Sequence, residues 1–294
     1  MFTRRGEVSL SAKLFPWFTH SILYRSIEVF VKYTAKSPLR IGSEKGKSPT
    51  SSVDLQVVTM YLNGTEVPFI PGSSLKGVFR SSSEFIARSY GINACMMGEG
   101  CKNNYDLTLQ YSMKIGNVDS IVNTLSKYCL ICKMFGSASY YSHVSFSDAY
   151  PKNQVPRRGV KTGIAIDRRS GAVRKGALYT VEFVMPGSEF EGSIKFLNLP
   201  NYAIGLISTV IDNLNLGVIK IGGFKSRGFG TVEVTPKELH GNVLVGSSYV
   251  SISEKGELSP LDEDDEPVKF SNASEFLGEC KKVWMNYVRK KHSS

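Results

Sequence analysis

Four of the five cysteines fall into two short-spaced pairs, Cys95-x5-Cys101 and Cys129-Leu130-Ile131-Cys132. Two such pairs offer four thiolates, the donor set of a tetrahedral zinc site, and a shell closed by four sulfurs leaves no position for a reacting water. The implied role of Zn2+ is structural: it would staple a segment that has little core of its own. Cys129-x2-Cys132 is the tight half and Cys95-x5-Cys101 the looser one. His143 is an alternative ligand, and four reduced buried thiols are the alternative reading of the set. An odd cysteine total argues against a disulfide framework and for a reducing compartment such as the cytoplasm. His20, His143, His240 and His292 are scattered and form no nucleophile arrangement with a Ser or Cys.

A second kind of chemistry is written in Gly222-Gly223-Phe224-Lys225-Ser226-Arg227-Gly228-Phe229-Gly230. Glycine lets backbone approach a ligand closely. Lys225 and Arg227 neutralise phosphate, and phenylalanine stacks on a base. Ile70-Pro71-Gly72-Ser73-Ser74-Leu75-Lys76-Gly77 has the same character and opens a helical pattern that continues through Arg80. A tight turn is the alternative for either stretch alone. Together they point to a nucleic-acid strand held by its backbone. The formal net charge of +10 agrees, and it is uneven. Glu254 to Glu266 holds seven acids against one Lys, or −6, which leaves about +16 elsewhere. No run of 18 apolar residues exists and the first twenty residues lack an apolar stretch, so neither a membrane span nor a signal peptide is expected.

The elements that must position these residues follow from periodicity. Ser26–Ala35 alternates Ile27, Val29, Val31 and Tyr33 as a half-buried strand. Gly42 to Ser52 is too polar to pack and reads as a mobile loop, with a strand returning over Val53–Leu62. Ser73 or Ser74 is predicted to cap a helix with Leu75, Val78, Phe79, Ile86 and Tyr90 on one face, stopped by Gly91. Residues 91–136 form a cysteine-bearing insertion around one short helix at Val118–Leu125. Val144, Phe146 and Asp148 alternate as a central strand. Val155 to Lys175, basic and glycine-broken, reads as an exposed hairpin. Strands over Leu178–Met185 and Phe190–Phe196, a helix over Ala203–Leu214 ended by Gly217, and a last strand at Thr231–Val234 complete the order. Strand, helix, two strands, helix, strand is the α+β, ferredoxin-like (RRM-like) βαββαβ order. The acidic stretch 253–268 reads as a solvated linker, followed by a C-terminal helix within 269–294, whose apolar stripe includes Cys280.

A helix led by IPGSSLKGVFR, a late GGFKSRGFG loop and this strand order resemble the RAMP superfamily of CRISPR proteins. The chain most resembles the repeating backbone subunit of type III (Csm-like) interference complexes, over about Ile27 to Val234. The resemblance implies one RNA-binding domain over 1–252, carrying the insertion and a thumb hairpin at 155–175. It implies a subunit that stacks with copies of itself and other complex subunits along a guide RNA (crRNA). Such a subunit leaves sequence reading to base pairing between guide and target RNA. Lys76, Arg80, Lys225, Arg227 and the glycines Gly222, Gly223, Gly228 and Gly230 would face the guide backbone. Gly163-Ile164-Ala165-Ile166-Asp167-Arg168 resembles the thumb entry, with Arg157, Arg158, Lys161, Arg168, Arg169, Arg174 and Lys175 supplying positive charge. Some relatives carry a zinc site in the insertion.

The resemblance also singles out Asp54, in Ser52-Val53-Asp54-Leu55-Gln56-Val57, as the residue that cuts target RNA. Leu55 and Gln56 stand where the family has a small residue and a proline. A lone carboxylate holds a divalent metal such as Mg2+ or orients a ribose 2′-hydroxyl for in-line attack on the next phosphate. Three alternatives stay open: a non-catalytic backbone or capping subunit, a guide-processing endoribonuclease, and a generic single-strand RNA binder. Asp148 and Asp167 are next in line after Asp54.

Overall fold

Alternation fixes the central strand. In β1 (Arg25–Ala35) every second side chain, from Ile27 to Ala35, is buried, and Glu28, Phe30, Lys32 and Thr34 take the other face. The computed structural model describes residues 20, 22–42, 53–96, 99–152 and 154–293. Apart from Gly42, the loop expected at Gly42 to Ser52 lies outside them.

β1 pairs antiparallel with β8 (Glu189–Leu197) on one side and β9 (Val232–Val245) on the other. The sheet runs β10-β9-β1-β8-β4, with β4 at Val144–Phe146, β5 at Tyr150–Pro151 pairing β8, and β10 at Ser248–Ser253. β4 is thus a short edge strand, not the central one its alternation predicts. One sheet face carries Val29, Ile194 and Leu239 in register and is covered by helices α1 (Gly72–Ser89) and α5 (Asn201–Asn215). The other face is mostly polar apart from Phe30, with Lys32 paired to Glu189 and Lys152 to Glu191.

Helix α1 begins differently from expectation. Neither Ser73 nor Ser74 caps it; Pro71 is the N-cap residue, and Asp148 reaches in from beyond β4 to accept the Gly72 N–H at 2.7 Å. Gly72 is obligatory there, because a Cβ would lie 2.3 Å from the Phe146 carbonyl oxygen. Asp148 is therefore a helix cap. The insertion holds three helices rather than one: α2 (Glu99–Ile115), α3 (Val118–Ser126) and α4 (Leu130–Phe135).

The hairpin is longer than predicted and separate from the main sheet. β6 (Arg158–Ile166) pairs with β7 (Val173–Val184), which absorbs the strand expected at Leu178–Met185. Val160, Ile164, Ile166, Val173 and Leu178 are exposed along it. Asp167 shapes its tip by accepting the Arg169 and Ser170 N–H groups, and these bonds hold its carboxyl below the usual range. β2 (Thr59–Leu62) and β3 (Thr65–Pro68) make a small hairpin of their own.

The C-terminal helix α6 (Ala273–Ser293) docks back on α5. Of the acidic stretch, expected as a solvated linker, Leu258, Asp265 and Val268 are buried, and β11 (Gly256–Leu258) pairs with β12 (Val268–Phe270). Asp265 faces the fully buried Arg25, whose guanidinium also donates to the carbonyls of Leu199 and Ser259. No helix among the described residues is long and apolar enough to cross a membrane.

Candidate nucleic-acid interface and metal centre

Asp54 is placed by the hairpin. The segment after the polar loop does not form a strand through to Leu62; it lies alongside β7, with Leu55 in a parallel bridge to Val181. Leu55 N–H donates to the Thr180 carbonyl, and Glu182 N–H donates to the Leu55 carbonyl. Asp54 and Thr180 then close a reciprocal clamp. The Asp54 N–H donates to Thr180 Oγ1 at 2.9 Å, while Asp54 Oδ2 accepts from Thr180 N–H at 2.8 Å and from its hydroxyl at 3.0 Å. One turn of chain later, Val57 N–H donates to Glu182 Oε2.

The neighbouring residue of β7 meets the glycine loop. Tyr179 accepts a hydrogen bond from Arg227 Nη1 at 2.6 Å. The loop needs its glycines: Gly222, Gly228 and Gly230 have φ of +83°, +87° and +87°, and Phe224 is itself left-handed at +60°. A Cβ on Gly222 would lie 2.2 Å from the Arg40 carbonyl oxygen, which instead accepts the Gly223 N–H at 2.8 Å. The two aromatics divide their roles. Phe229 is buried against Phe183, whereas Phe224 is partly open, with the Arg227 and Arg40 guanidinium carbons 5.2 and 5.6 Å from its ring centre. Lys161 of β6 sits 5.8 Å from the Phe229 ring centre.

Arg40 is the residue sequence reasoning missed. It lies five residues past the end of β1, under the glycine loop; its Nε is buried with no partner among the described residues, and burial lowers its pKa. A basic residue two positions before Gly42 was the available signal. Lys161 and Arg227 join it in one cluster of cations and aromatics, with Lys225 exposed on the same loop, a surface suited to a phosphate backbone with a base on Phe224. Arg168 and Arg169 are exposed at the hairpin tip, beyond the ends of β6 and β7 and outside this cluster. Arg157 is exposed at the hairpin base, and Arg158 is paired with Glu182 at 3.3 Å. Lys76 is half-buried, its pKa lowered by burial and by nearby Arg80. Arg80 turns away from this surface, towards the insertion.

The four cysteines do converge. Cys95 follows α1, Cys101 lies in α2, Cys129 caps α4 and Cys132 lies in its first turn; their sulfurs all fall within 4.8 Å of one another. Cys95 Sγ is 3.5 Å from that of Cys129 and 3.3 Å from that of Cys132. A tetrahedron with Zn–S bonds of about 2.3 Å places its sulfurs about 3.8 Å apart, so the set fits zinc. Backbone N–H groups of Cys129 and Cys132 donate to the sulfurs of Cys101 and Cys129 at 3.2 and 3.4 Å. Hydrogen bonds from Cys101 and Cys132 push the Cys129 thiol down, and donating to Cys129 pushes Cys101 up to about 12. Bound zinc would replace these shared protons. His143 is elsewhere: it is buried, Nδ1 against the Leu197 carbonyl and Nε2 against the Tyr140 hydroxyl, each at 2.7 Å, so it is no alternative ligand. Among the described residues no other group of three or more His, Cys, Asp or Glu side chains is placed to hold a metal.

The sequence model of the RAMP superfamily matches residues 32–233, and the chain belongs to that superfamily. The match takes in the last residues of β1, the cysteine centre, the Asp54 clamp, the hairpin and the glycine loop. No curated protein matches the chain.

Proposed function

We propose that this protein is a guide-RNA-binding backbone subunit of a type III (Csm-like) CRISPR effector complex, and that it cuts the paired target RNA through Asp54. The superfamily is associated with CRISPR–Cas complexes and RNA binding. In support of a ferredoxin-like core, β1, α1, β4, β8, α5 and β9 occur in βαββαβ order, and their strands lie in the sheet as β9-β1-β8-β4. Guide RNA would run over the glycine loop, with Arg40, Lys161, Lys225 and Arg227 on its phosphates. Copies of the same chain and other complex subunits would continue that path. Zinc held by Cys95, Cys101, Cys129 and Cys132 would brace the insertion.

The observation that carries the catalytic reading is the anchoring of Asp54 on the root of a protruding basic hairpin. A hairpin wedged between guide and target splays a nucleotide out of the stack beside that root. Asp54 would take the proton of the exposed 2′-hydroxyl as it attacks the next phosphorus. The P–O5′ bond breaks and the departing 5′ oxygen takes a proton from water, leaving a 2′,3′-cyclic phosphate and a 5′-hydroxyl. A divalent cation such as Mg2+ there would draw its other ligands from RNA phosphate oxygens.

One observation favours a non-catalytic backbone subunit instead: Asp54 Oδ2 already serves Thr180 twice. Asp54→Asn separates the two, because the amide keeps an acceptor oxygen for Thr180 and removes the charge. In the assembled complex, loss of target cutting with unchanged RNA binding supports catalysis. Cutting that survives Asp54→Asn makes the residue a clamp.

A further inference from the structure

We propose that Arg80 is the cationic partner of the four-cysteine metal centre rather than a phosphate contact, tying helix α1 to the metal. The inference rests on the zinc reading of the cysteines. Arg80 spends three different nitrogens on three different acceptors. Nε donates to Glu84 Oε1 at 3.1 Å, Nη1 to the Gly136 carbonyl at 2.9 Å, and Nη2 reaches Cys132 Sγ at 3.4 Å. Glu84 is buried and lies one turn further along α1, so it fixes the plane of the fork. The guanidinium is thereby aimed at the insertion.

The charge balance gives this geometry a purpose. Four thiolates around one Zn2+ sum to −2, and Cys101, Cys129 and Cys132 are all buried. A buried double negative charge needs donors and a counter-charge. Two backbone N–H groups supply part of that. Arg80 supplies a full positive charge through a direct N–H···S contact, the outer-layer support that orients and tunes metal ligands. Lys133 also feels Cys129 and Cys101, but Asp262 attracts it more strongly. Because Arg80 shares α1 with Lys76, metal binding would also hold the helix that begins at Gly72.

The test uses the full chain, purified with zinc, and the variants Arg80→Met, Arg80→Lys and Lys76→Ala. Zinc release to a chromogenic chelator, the thiolate-to-metal charge-transfer band of the cobalt-substituted protein, and the salt dependence of RNA binding are measured together. Arg80→Met should weaken zinc retention by about tenfold or more and shift the cobalt band, with the RNA salt slope unchanged. Arg80→Lys keeps the charge but serves one acceptor of three, so its release rate should fall between the two. Lys76→Ala should do the reverse: normal zinc release, and a salt slope reduced by about one. Wild-type zinc release from both Arg80 variants overturns the proposal while leaving the metal reading intact. A reduced salt slope in Arg80→Met with normal zinc release returns Arg80 to the RNA. Wild-type protein that retains no zinc overturns both the metal reading and this one. Should Arg80→Met fail to fold, Arg80→Lys carries the decision.

Discussion

Thr180→Val tests how Asp54 is held. The substitution keeps the shape and the backbone N–H, which still donates to Asp54 Oδ2, but removes the hydroxyl that accepts from Asp54 N–H and donates to its carboxylate. An uncharged hydrogen bond contributes about 1 kcal/mol and one to a carboxylate about 1.5–3. The segment is half-buried, so water takes up part of both, and a net loss of about 2 kcal/mol is expected locally. That is about 30-fold in the opening equilibrium of the strip from Val53 to Val58. Hydrogen exchange read at the Leu55 amide, which donates to the Thr180 carbonyl at 3.0 Å, measures it directly. Thr180→Ser should restore protection. In the assembled complex Thr180→Val should slow target cutting and leave RNA affinity unchanged, since no phosphate contact is lost. Wild-type exchange at Leu55 in Thr180→Val would refute the clamp, and wild-type cutting despite a loosened strip would refute its link to chemistry.

Two further outcomes follow from other parts of the molecule. Replacing Lys225 and Arg227 together by Ala should weaken RNA binding regardless of sequence and lower the slope of log K against log salt by about two, as read by fluorescence anisotropy across a salt series. Asp262 accepts from the Tyr202 hydroxyl, and burial raises its pKa above the usual carboxylate range. A raised pKa means the folded chain holds this proton more tightly than the unfolded one. Its contribution is therefore complete below the unfolded value and is lost as pH climbs through the folded value. Asp262→Asn should accordingly gain melting temperature relative to wild type near pH 7, and that gain should vanish as pH falls to the ordinary carboxylate range. A difference in melting temperature that stays constant with pH would contradict the sign.

The parts of this fold that were legible in the sequence are those set by local pattern. Alternation located β1, β8 and the sheet-facing residues, and the 3.6-residue stripe located α1, α5 and α6. Helix α2 escaped because its buried residues, Cys101, Asp106, Leu109 and Ser112, are mostly small or polar, while Leu107, Tyr111 and Met113 point outward. β9 reads as ending before Pro236, yet continues to Val245. Proline has no N–H to give a ladder, and it is accommodated where the pairing with β1 shifts register between Val29 and Val31. The site was half legible. Pair spacing identified the cysteines that converge, and composition identified the glycine loop. That Arg40 rather than Arg80 lies beside the glycine loop was not readable, because it depends on which way a long side chain turns once distant segments have met. The Thr180 partner of Asp54 and the Asp148 cap of α1 are likewise contacts across the chain, formed by tertiary structure alone.

Arg25, the first residue of the central strand, has a consequence for how the chain is made. Its guanidinium is fully buried, and its partners are the carbonyls of Leu199 and Ser259 and the carboxylate of Asp265. During synthesis β1 leaves the ribosome first, but β8, β9 and these partners emerge much later. Until they do, the strand that organises the sheet has no neighbours on either side, and its first residue has no counter-charge. Folding of the sheet is thus deferred until β8 and β9 are out, and until then the nascent chain carries an unpaired strand with one apolar face. A chain released early, before Asp265, would leave Arg25 to be buried unpaired or not at all. Closing the core around Arg25 is thereby tied to the segment that carries Ser259 and Asp265, far along the chain from the strand it serves.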